Sequence, residues 1–513
     1  MKILDNIITQ KLENEYVESG IEHIKLMEIA GSAVARFIYD KYGINGKNIA
    51  IVCGRGNNGG DGFACAKKLY NGGANVVMLL ASGHPKTNDA IDLLGRGERA
   101  GINHISYAVE SEREAFIRCL NNSDIIVDAI FGTGLKDKPD ETTSQVIDLI
   151  NLSAAKVISI DIASGVCADT GEVPGACVRA SYTVTFTTQK PGHVVYPGAE
   201  FCGKVLTASI GIDEAKVEES SSQMNTIDYQ PVRLCFRTRR ANTSKGDYGR
   251  LLCIVGSKGM PGAASFCGKA AVQSGAGLVR IATAESVYPI VAGLLPDAVY
   301  YPMTENDNGS ISASFSDDIV SLCEMSDAVV LGCGMGNNEE TRCIVEAVLS
   351  KVKIPVVLDA DAINAIADTP EILCKRECPI ILTPHPGEMG RLIGKSAKDV
   401  QNTRLSTVKE FVSKYGVNII LKGANTICAS TDGSIYFNLN GNPGMAKGGS
   451  GDVLAGILGS FLAQGMNPAD AMTCAVYIHG ASGDKAAQKF SQHSMTPSDI
   501  ILELADVFLD IER

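Results

Sequence analysis

The sequence contains no CxxC pair, no block of basic residues beyond the short "RTRR" at 237–240, and nothing close to ~18 consecutive apolar residues. The first absence argues against a zinc ribbon or a dithiol redox centre, and "CKREC" (374–378) has no second ligand pair at zinc-like spacing. The second makes nucleic acid and anionic membrane poor main partners, as does a net charge of −12 from 58 acidic and 46 basic residues. The third excludes a spanning helix. The N-terminal "MKILDNIITQKLENEY" alternates charged and apolar residues without a signal-peptide core. The expectation is a reduced, soluble, cytoplasmic protein that binds neither nucleic acid nor membrane.

What is present is ordinary globular composition, 45% hydrophobic and 20% charged. Most of the 16 cysteines stand in apolar runs such as "IAIVCG" and "VVLGCG", where free Cys acts as a small hydrophobe. At 513 residues the chain is long enough for more than one core. Strand-like runs alternate with helical stretches: "NIAIVCG", "NVVMLLA", "DIIVDAIFG", "KVISIDIASG" and "YTVTFTT" in the first part. After an acidic, serine-containing linker near 213–228 the pattern restarts with "RLLCIVGS", "GLVRIAT", "AVVLGCG", "PVVLDAD", "PIILTP", "NIILKG" and "TICAS". Two α/β domains are expected, residues 1–228 and 229–513, built on mainly parallel sheets covered on both faces.

In the first half "IAIVCGRGNNGGDGFACAKKL" (49–69) reads as strand, glycine loop, helix. Gly54, Gly56 and Gly59 satisfy GxGxxG, yet the next strand, "NVVMLLASG", ends without the acidic ribose reader of a dinucleotide site. No GK[ST] follows, so the loop is not a Walker A loop either. A glycine turn entering a helix still offers amides to an anion, with Asn57, Asn58 and Asp61 alongside, although it could simply pack helix on strand. "VDAIFGTGL" places Asp128 at a strand end, and "SIDIASG" does the same with Asp161 and Ser164. In parallel sheets such strand ends converge on ligands, though an aspartate there is often a helix cap.

Together "NNGGDG", "DAIFGTGL" and "DIASG", with "LMEIAG" (26–31), resemble the NAD(P)H-hydrate epimerases over residues 10–215. The resemblance implies a Rossmann-like three-layer α/β/α sandwich. It implies that Asn57, Asn58, Gly59, Gly60 and Asp61, the loop Gly132, Thr133, Gly134, Leu135, Lys136, Asp137 and Lys138, and a catalytic Asp161 hold the hydrated nucleotide. It also implies a potassium ion on Asn58, Asp128 and Ser164, all hard oxygen ligands. The family commonly has proline before that serine; here it is Ala163, which should loosen the turn without removing a ligand.

In the second half five glycines and an aspartate, in "GNPGMAKGGSGDVLAG", precede an apolar face formed by Val453, Leu454, Ile457, Leu458, Phe461 and Leu462. Unpaired amides and a helix dipole would face whatever lies beyond them. Asp452 could merely cap the helix, but that leaves "KGGSG" unexplained. A phosphoryl group on the loop, with Asp452 as base for an attacking hydroxyl, explains both.

This half resembles the ribokinase-like superfamily, and within it the ADP-dependent NAD(P)H-hydrate dehydratases, through "GMPGAA" (259–264), "LDADAIN" (358–364), "LTPHPGEMGRL" (382–392), "LKGANT" (421–426) and "NPGMAKGGSGDVLAG" (442–456). The resemblance implies that Lys422, Gly423, Ala424, Asn425, Thr426 and Gly451 hold the adenine nucleotide, and that Ala263, Gly334, His385 and Asp452 face the hydrated substrate. It implies Mg²⁺ as well, and a homo-oligomer. His385, between two prolines, could grip substrate or serve as a structural core histidine. The expected function is repair of hydrated NADH and NADPH; the alternative is a vitamin or sugar kinase fused to a nucleotide-binding domain. An NAD-dependent oxidoreductase or a non-catalytic scaffold fits the motifs less well.

Overall fold

The computed structural model describes every residue from Met1 to Arg513, and the chain divides into two units: Lys2–Met224, and Asn225–Arg513 together with Met1. The N-terminal unit is built on β1 (Asn48–Cys53), β2 (Asn75–Leu80), β3 (His104–Ser106), β4 (Ile125–Ala129), β5 (Lys156–Ile160), β6 (Tyr182–Phe186) and β7 (Lys204–Ala208). All are parallel, in the order β3-β2-β1-β4-β5-β6-β7.

Alternation along β1 shows why this sheet needs helices on both faces. Ile49, Ile51 and Cys53 join one buried cluster with Leu26, Val34 and Phe63, from helices α1 (His23–Tyr42) and α2 (Asn57–Asn71). Ala50 and Val52 join a second cluster with Phe116, Val146 and Ile150. The result is the three-layer sandwich. Strand order reverses between β1 and β4, so the loops leaving their carboxyl ends diverge and open a crevice.

The C-terminal unit uses β8 (Arg250–Ile254), β9 (Leu278–Ala284), β10 (Val299–Met303), β11 (Ala328–Leu331), β12 (Val356–Leu358), β13 (Ile380–Leu382), β14 (Asn418–Leu421), β15 (Thr426–Ala429) and β16 (Ile435–Asn438). Their order is β10-β9-β8-β11-β12-β13-β14-β15-β16, parallel up to β14 and antiparallel through β15 and β16. Leu251 and Cys253 face a core shared by α3 (Pro261–Gln273), α5 (Ser450–Ala463), α6 (Pro468–Ser494) and α7 (Pro497–Glu512). Leu252 and Ile254, on the other face, are equally buried. A short helix, α4 (Pro386–Ile393), starts four residues after β13. Here the order reverses between β8 and β11.

Strands β3, β7, β10 and β16 had no clear signal in the sequence. β3 has only three residues, β7 and β10 have exposed or half-exposed residues along most of their length, and β10 carries Pro302. Sheet edges tolerate all of these features.

Candidate active sites

At the N-terminal crevice, the chain turns from β1 into α2 against β4. A Cβ on Gly54 would come within 1.9 Å of the Ile130 carbonyl oxygen, so only glycine lets the loop pass. α2 begins at Asn57 with no side chain capping it. Asp128, at the end of β4, is fully buried. Its carboxylate accepts hydrogen bonds from Ser159 Oγ (2.7 Å), Ser164 N (2.9 Å), Ser164 Oγ (2.6 Å) and Ile130 N (3.3 Å). Burial raises its pKa, against the pull of those donors. Asn58 packs against Gly132 of the following loop, and its buried Nδ2 has no partner.

Asp161, just beyond β5, adopts a left-handed backbone (φ 64°). Its Oδ1 accepts from Lys190 Nζ at 2.7 Å and from Thr185 Oγ1 at 2.9 Å. Lys190 is 1% exposed and also bonds Thr185 Oγ1 and the Phe186 carbonyl, so all three ammonium hydrogens are used. His193 Nδ1 accepts from Lys190 N, so Nε2 carries the proton and donates to the Asp161 carbonyl. Burial works to raise the Asp161 pKa, but the Lys190 charge and hydrogen bond prevail and hold it below the ordinary value. Asp61 has no such lysine: burial, then Asp161 and Glu13, push its carboxyl well up. Burial and Lys190 bring His193 down to about 4, leaving it neutral.

In the C-terminal unit four strand ends converge, those of β11, β12, β13 and β14. Asp359, after β12 and 1% exposed, is the hub. Its Oδ1 accepts from Lys422 Nζ and Thr383 Oγ1, each at 2.7 Å, and its Oδ2 from Cys333 Sγ at 3.5 Å. Lys422 also lies 3.8 Å from Glu388. Asp452 stands in the first turn of α5, which starts behind Gly449 in a left-handed conformation (φ 100°) with no side-chain cap. The amides of Lys447 and Ser450 bond Met445 and Lys447 carbonyls; those of Gly448, Gly449, Gly451 and Asp452 have no backbone acceptor. The loop is therefore partly, not wholly, bare. The Lys447 ammonium turns away, to the His493 and Met495 carbonyls. Burial, then repulsion from Asp359, raise the Asp452 pKa to about 7, opposed by Cys333 and Lys422.

A profile described as NAD(P)H-hydrate dehydratase matches residues 251–505, and one described as YjeF-related protein N-terminus matches residues 23–192. A bifunctional NAD(P)H-hydrate repair enzyme of Thermofilum pendens is 38% identical over 497 residues, 97% of this chain and 92% of its own. Its Moorella thermoacetica counterpart is 37% identical, covering 97% and 94%. The chain belongs to the bifunctional NAD(P)H-hydrate repair enzymes. The solved structure of SMU.573 from Streptococcus mutans, 24% identical with a TM-score of 0.50, covers 56% of this chain and all of its own, and shares the fold of the C-terminal half.

Within this repair-enzyme framework the expected residues gather unevenly. Asn58 meets Gly132, and Asp128 meets Ser164, but Gly134 and Lys136–Lys138 lie exposed along the loop. A Cβ on Gly451 would lie 3.2 Å from Lys422 Nζ, so the β14–β15 hairpin that carries Gly423, Ala424 and Asn425 meets the glycine helix. Ala263 and Gly334 pack on each other. His385 is not a core histidine. Its side chain is half exposed, its Nδ1 caps α4 by accepting from the Gly387 and Glu388 amides, and its Nε2 lies 3.4 Å from Glu388.

Several further residues shape these sites with little mark in the sequence. Lys190 and His193 sit in "TTQKPGH", directly after a predicted strand, where a lysine before proline at a strand end was the available signal. Arg404 is completely buried and donates to the Leu421, Lys422 and Asn425 carbonyls, moulding the β14–β15 hairpin from a separate helix. His479, on α6, bonds the Ser450 backbone and is held near 4 by burial, so it is a neutral brace for the first turn of α5.

Proposed function

We propose that the C-terminal unit dehydrates the S epimer of hydrated NADH or NADPH at the expense of ADP, and that the N-terminal unit interconverts the R and S epimers. The observation that carries this reading is Asp452: a carboxylate with a pKa of about 7 in the first turn of a helix whose leading amides lack acceptors. Hydroxide leaves poorly from C6 of the hydrated ring. Asp452 takes the C6 hydroxyl proton, the oxygen attacks the β-phosphorus of ADP, and AMP departs. The free amides of Gly448, Gly449 and Gly451 stabilise the charge on the transferring group. The ring nitrogen's lone pair then expels phosphate, and loss of a C5 proton restores the dihydropyridine. Lys422 through Thr426 with Gly451 bind the nucleotide, while Ala263, Gly334 and His385 position the hydrated ring.

The Cys333, Asp359 and Asp452 group does not fit Mg²⁺, which wants six hard oxygens, because it sets a thiol beside only two carboxylates. Any Mg²⁺ would ride on the nucleotide phosphates. Potassium fits better. The amide orientation of Asn58 is interchangeable, and turning it replaces the orphaned buried Nδ2 with an oxygen beside Gly132. Asn58, Asp128 and Ser164 would hold the ion, which would supply a positive charge beside the buried Asp128 carboxylate.

C6 carries both the hydroxyl and the ring nitrogen, so opening the C6–N bond to an aldehyde and reclosing on the other face inverts it. Asp161 takes the hydroxyl proton, passes it to the nitrogen as that bond breaks, and reverses both transfers on closure. Lys190 keeps Asp161 ionised for this work. Asn57–Asp61 and the 132–138 loop bind the nucleotide part.

A homo-oligomer working in the cytoplasm belongs to the same proposal, and light scattering tests the assembly. No helix is long and apolar enough to cross a membrane. The decisive assay incubates the chain with hydrated NADH and either ADP or ATP while following absorbance near ~340 nm. Recovery of absorbance with release of phosphate supports repair; a stable phosphorylated product without recovery would mean a kinase instead.

A further inference from the structure

We propose that Cys333, Asp359 and Asp452 form a binding site for a thiophilic divalent cation, zinc foremost, and that its occupancy silences the C-terminal unit. The sulfur of Cys333 and one oxygen of each aspartate all lie within 4.8 Å of one another. The Cys333 Sγ to Asp359 Oδ2 separation is 3.5 Å. Zinc bonds sulfur at ~2.3 Å and carboxylate oxygen at ~2.0 Å, so at the tetrahedral angle two such ligands stand ~3.5 Å apart. One edge of a zinc tetrahedron therefore has its length before any ion arrives.

The carboxylate on that edge is fixed in place. Lys422 and Thr383 both bond Asp359 Oδ1, which orients the group and leaves the thiol hydrogen as the partner of Oδ2. An ion would take the place of that hydrogen: the thiol proton leaves to solvent, a sulfur–metal bond forms, and oxygens of Asp359 and Asp452 complete three protein ligands. Water takes the fourth position. Cys333 and Asp359 are buried, whereas Asp452 is partly accessible and provides the way in. Lys422 keeps its bond to Oδ1, the oxygen that the ion does not use. A thiolate in the set selects zinc or cadmium and rejects magnesium and calcium, which demand oxygen.

Inhibition rests on Asp452 being the base; the metal site itself does not. The test uses the metal-free full chain, titrated with Co²⁺ as an optical probe and with Zn²⁺ by calorimetry, beside Cys333→Ser. A thiolate-to-cobalt charge-transfer band at one ion per chain is expected, absent in Cys333→Ser, with zinc affinity at least ~10-fold weaker in the variant. Zinc should also lower dehydration but not epimerisation in the parent chain, reversibly on chelation, with the ratio of activities with and without zinc moving toward one in Cys333→Ser. No cobalt band, or the same band and affinity in Cys333→Ser, would overturn the site. Inhibition equal in both chains would place the zinc on the nucleotide and overturn it too. Cobalt binding at Cys333 in a chain without dehydratase activity would leave the site standing and refute the proposed function.

Discussion

Both units put an aspartate and a lysine together at the carboxyl ends of their strands, and they use the pair in opposite ways. In the N-terminal unit Lys190 bonds Asp161 itself, and that carboxyl is held below its usual range. In the C-terminal unit Lys422 is spent on Asp359, and Asp452 is left facing that second carboxylate with its pKa near 7. The lysine's choice of partner decides which aspartate titrates near neutrality. One arrangement holds a carboxylate that rests ionised across the neutral range, the other a carboxylate that is half protonated at about pH 7.

The most severe way to break the comparison is Asp452→Asn. With the proposed base removed, dehydration should fall ~10²–10⁴-fold and epimerisation stay intact, read by the two assays on one preparation. Loss of both activities in a folded variant would refute the two-site division. Lys190→Met removes the counter-charge of the other site. Breaking a buried pair costs ~3–5 kcal/mol, so urea unfolding of the N-terminal unit should move first. The acid limb of epimerisation should also rise, because burial alone pushes Asp161 upward.

Stability offers a gentler test. The Asp452 pKa lies above its ordinary 3.8 in the folded chain, so between those values the folded state binds the proton more tightly than the unfolded one. Stability from this group is full below the lower value and is lost as pH rises to about 7. Asp452→Asn should therefore stabilise the ligand-free C-terminal unit at pH ~8, by up to ~4 kcal/mol, while abolishing its turnover. For the wild-type chain the same titration makes dehydration rise with pH through about 7 and epimerisation stay flat there. Asp359→Asn should erase the contrast by freeing Lys422 for Asp452, which lowers the dehydration limb. The smallest effect is expected from His385→Ala: ~0.5–1.5 kcal/mol from the lost cap of α4 and a raised KM for hydrated NADH, with kcat little changed.

Much of this was legible in the chain. Continuous apolar runs at β1, β4, β11 and β12 announce strands buried on both faces, because parallel strands have no solvent side. The glycines before Val453 announce a helix N-terminus that keeps its amides free. Edge strands β3, β7 and β10 were illegible, since half-exposed residues carry no periodic signal. Arg404 and His479 were illegible for another reason: nothing local marks a polar residue whose partners lie in other elements, and Lys190 is marked only by its place before Pro191.

Composition and spacing by themselves determined the two α/β halves, the glycine turns, and the aspartates at strand ends, because each follows from local backbone preference and from the need to hide apolar residues. Only the tertiary structure decided the chemistry of those aspartates. A carboxylate's proton affinity depends on the charges and the burial around it, and these come from distant segments: Lys190 for Asp161, Asp359 and Lys422 for Asp452.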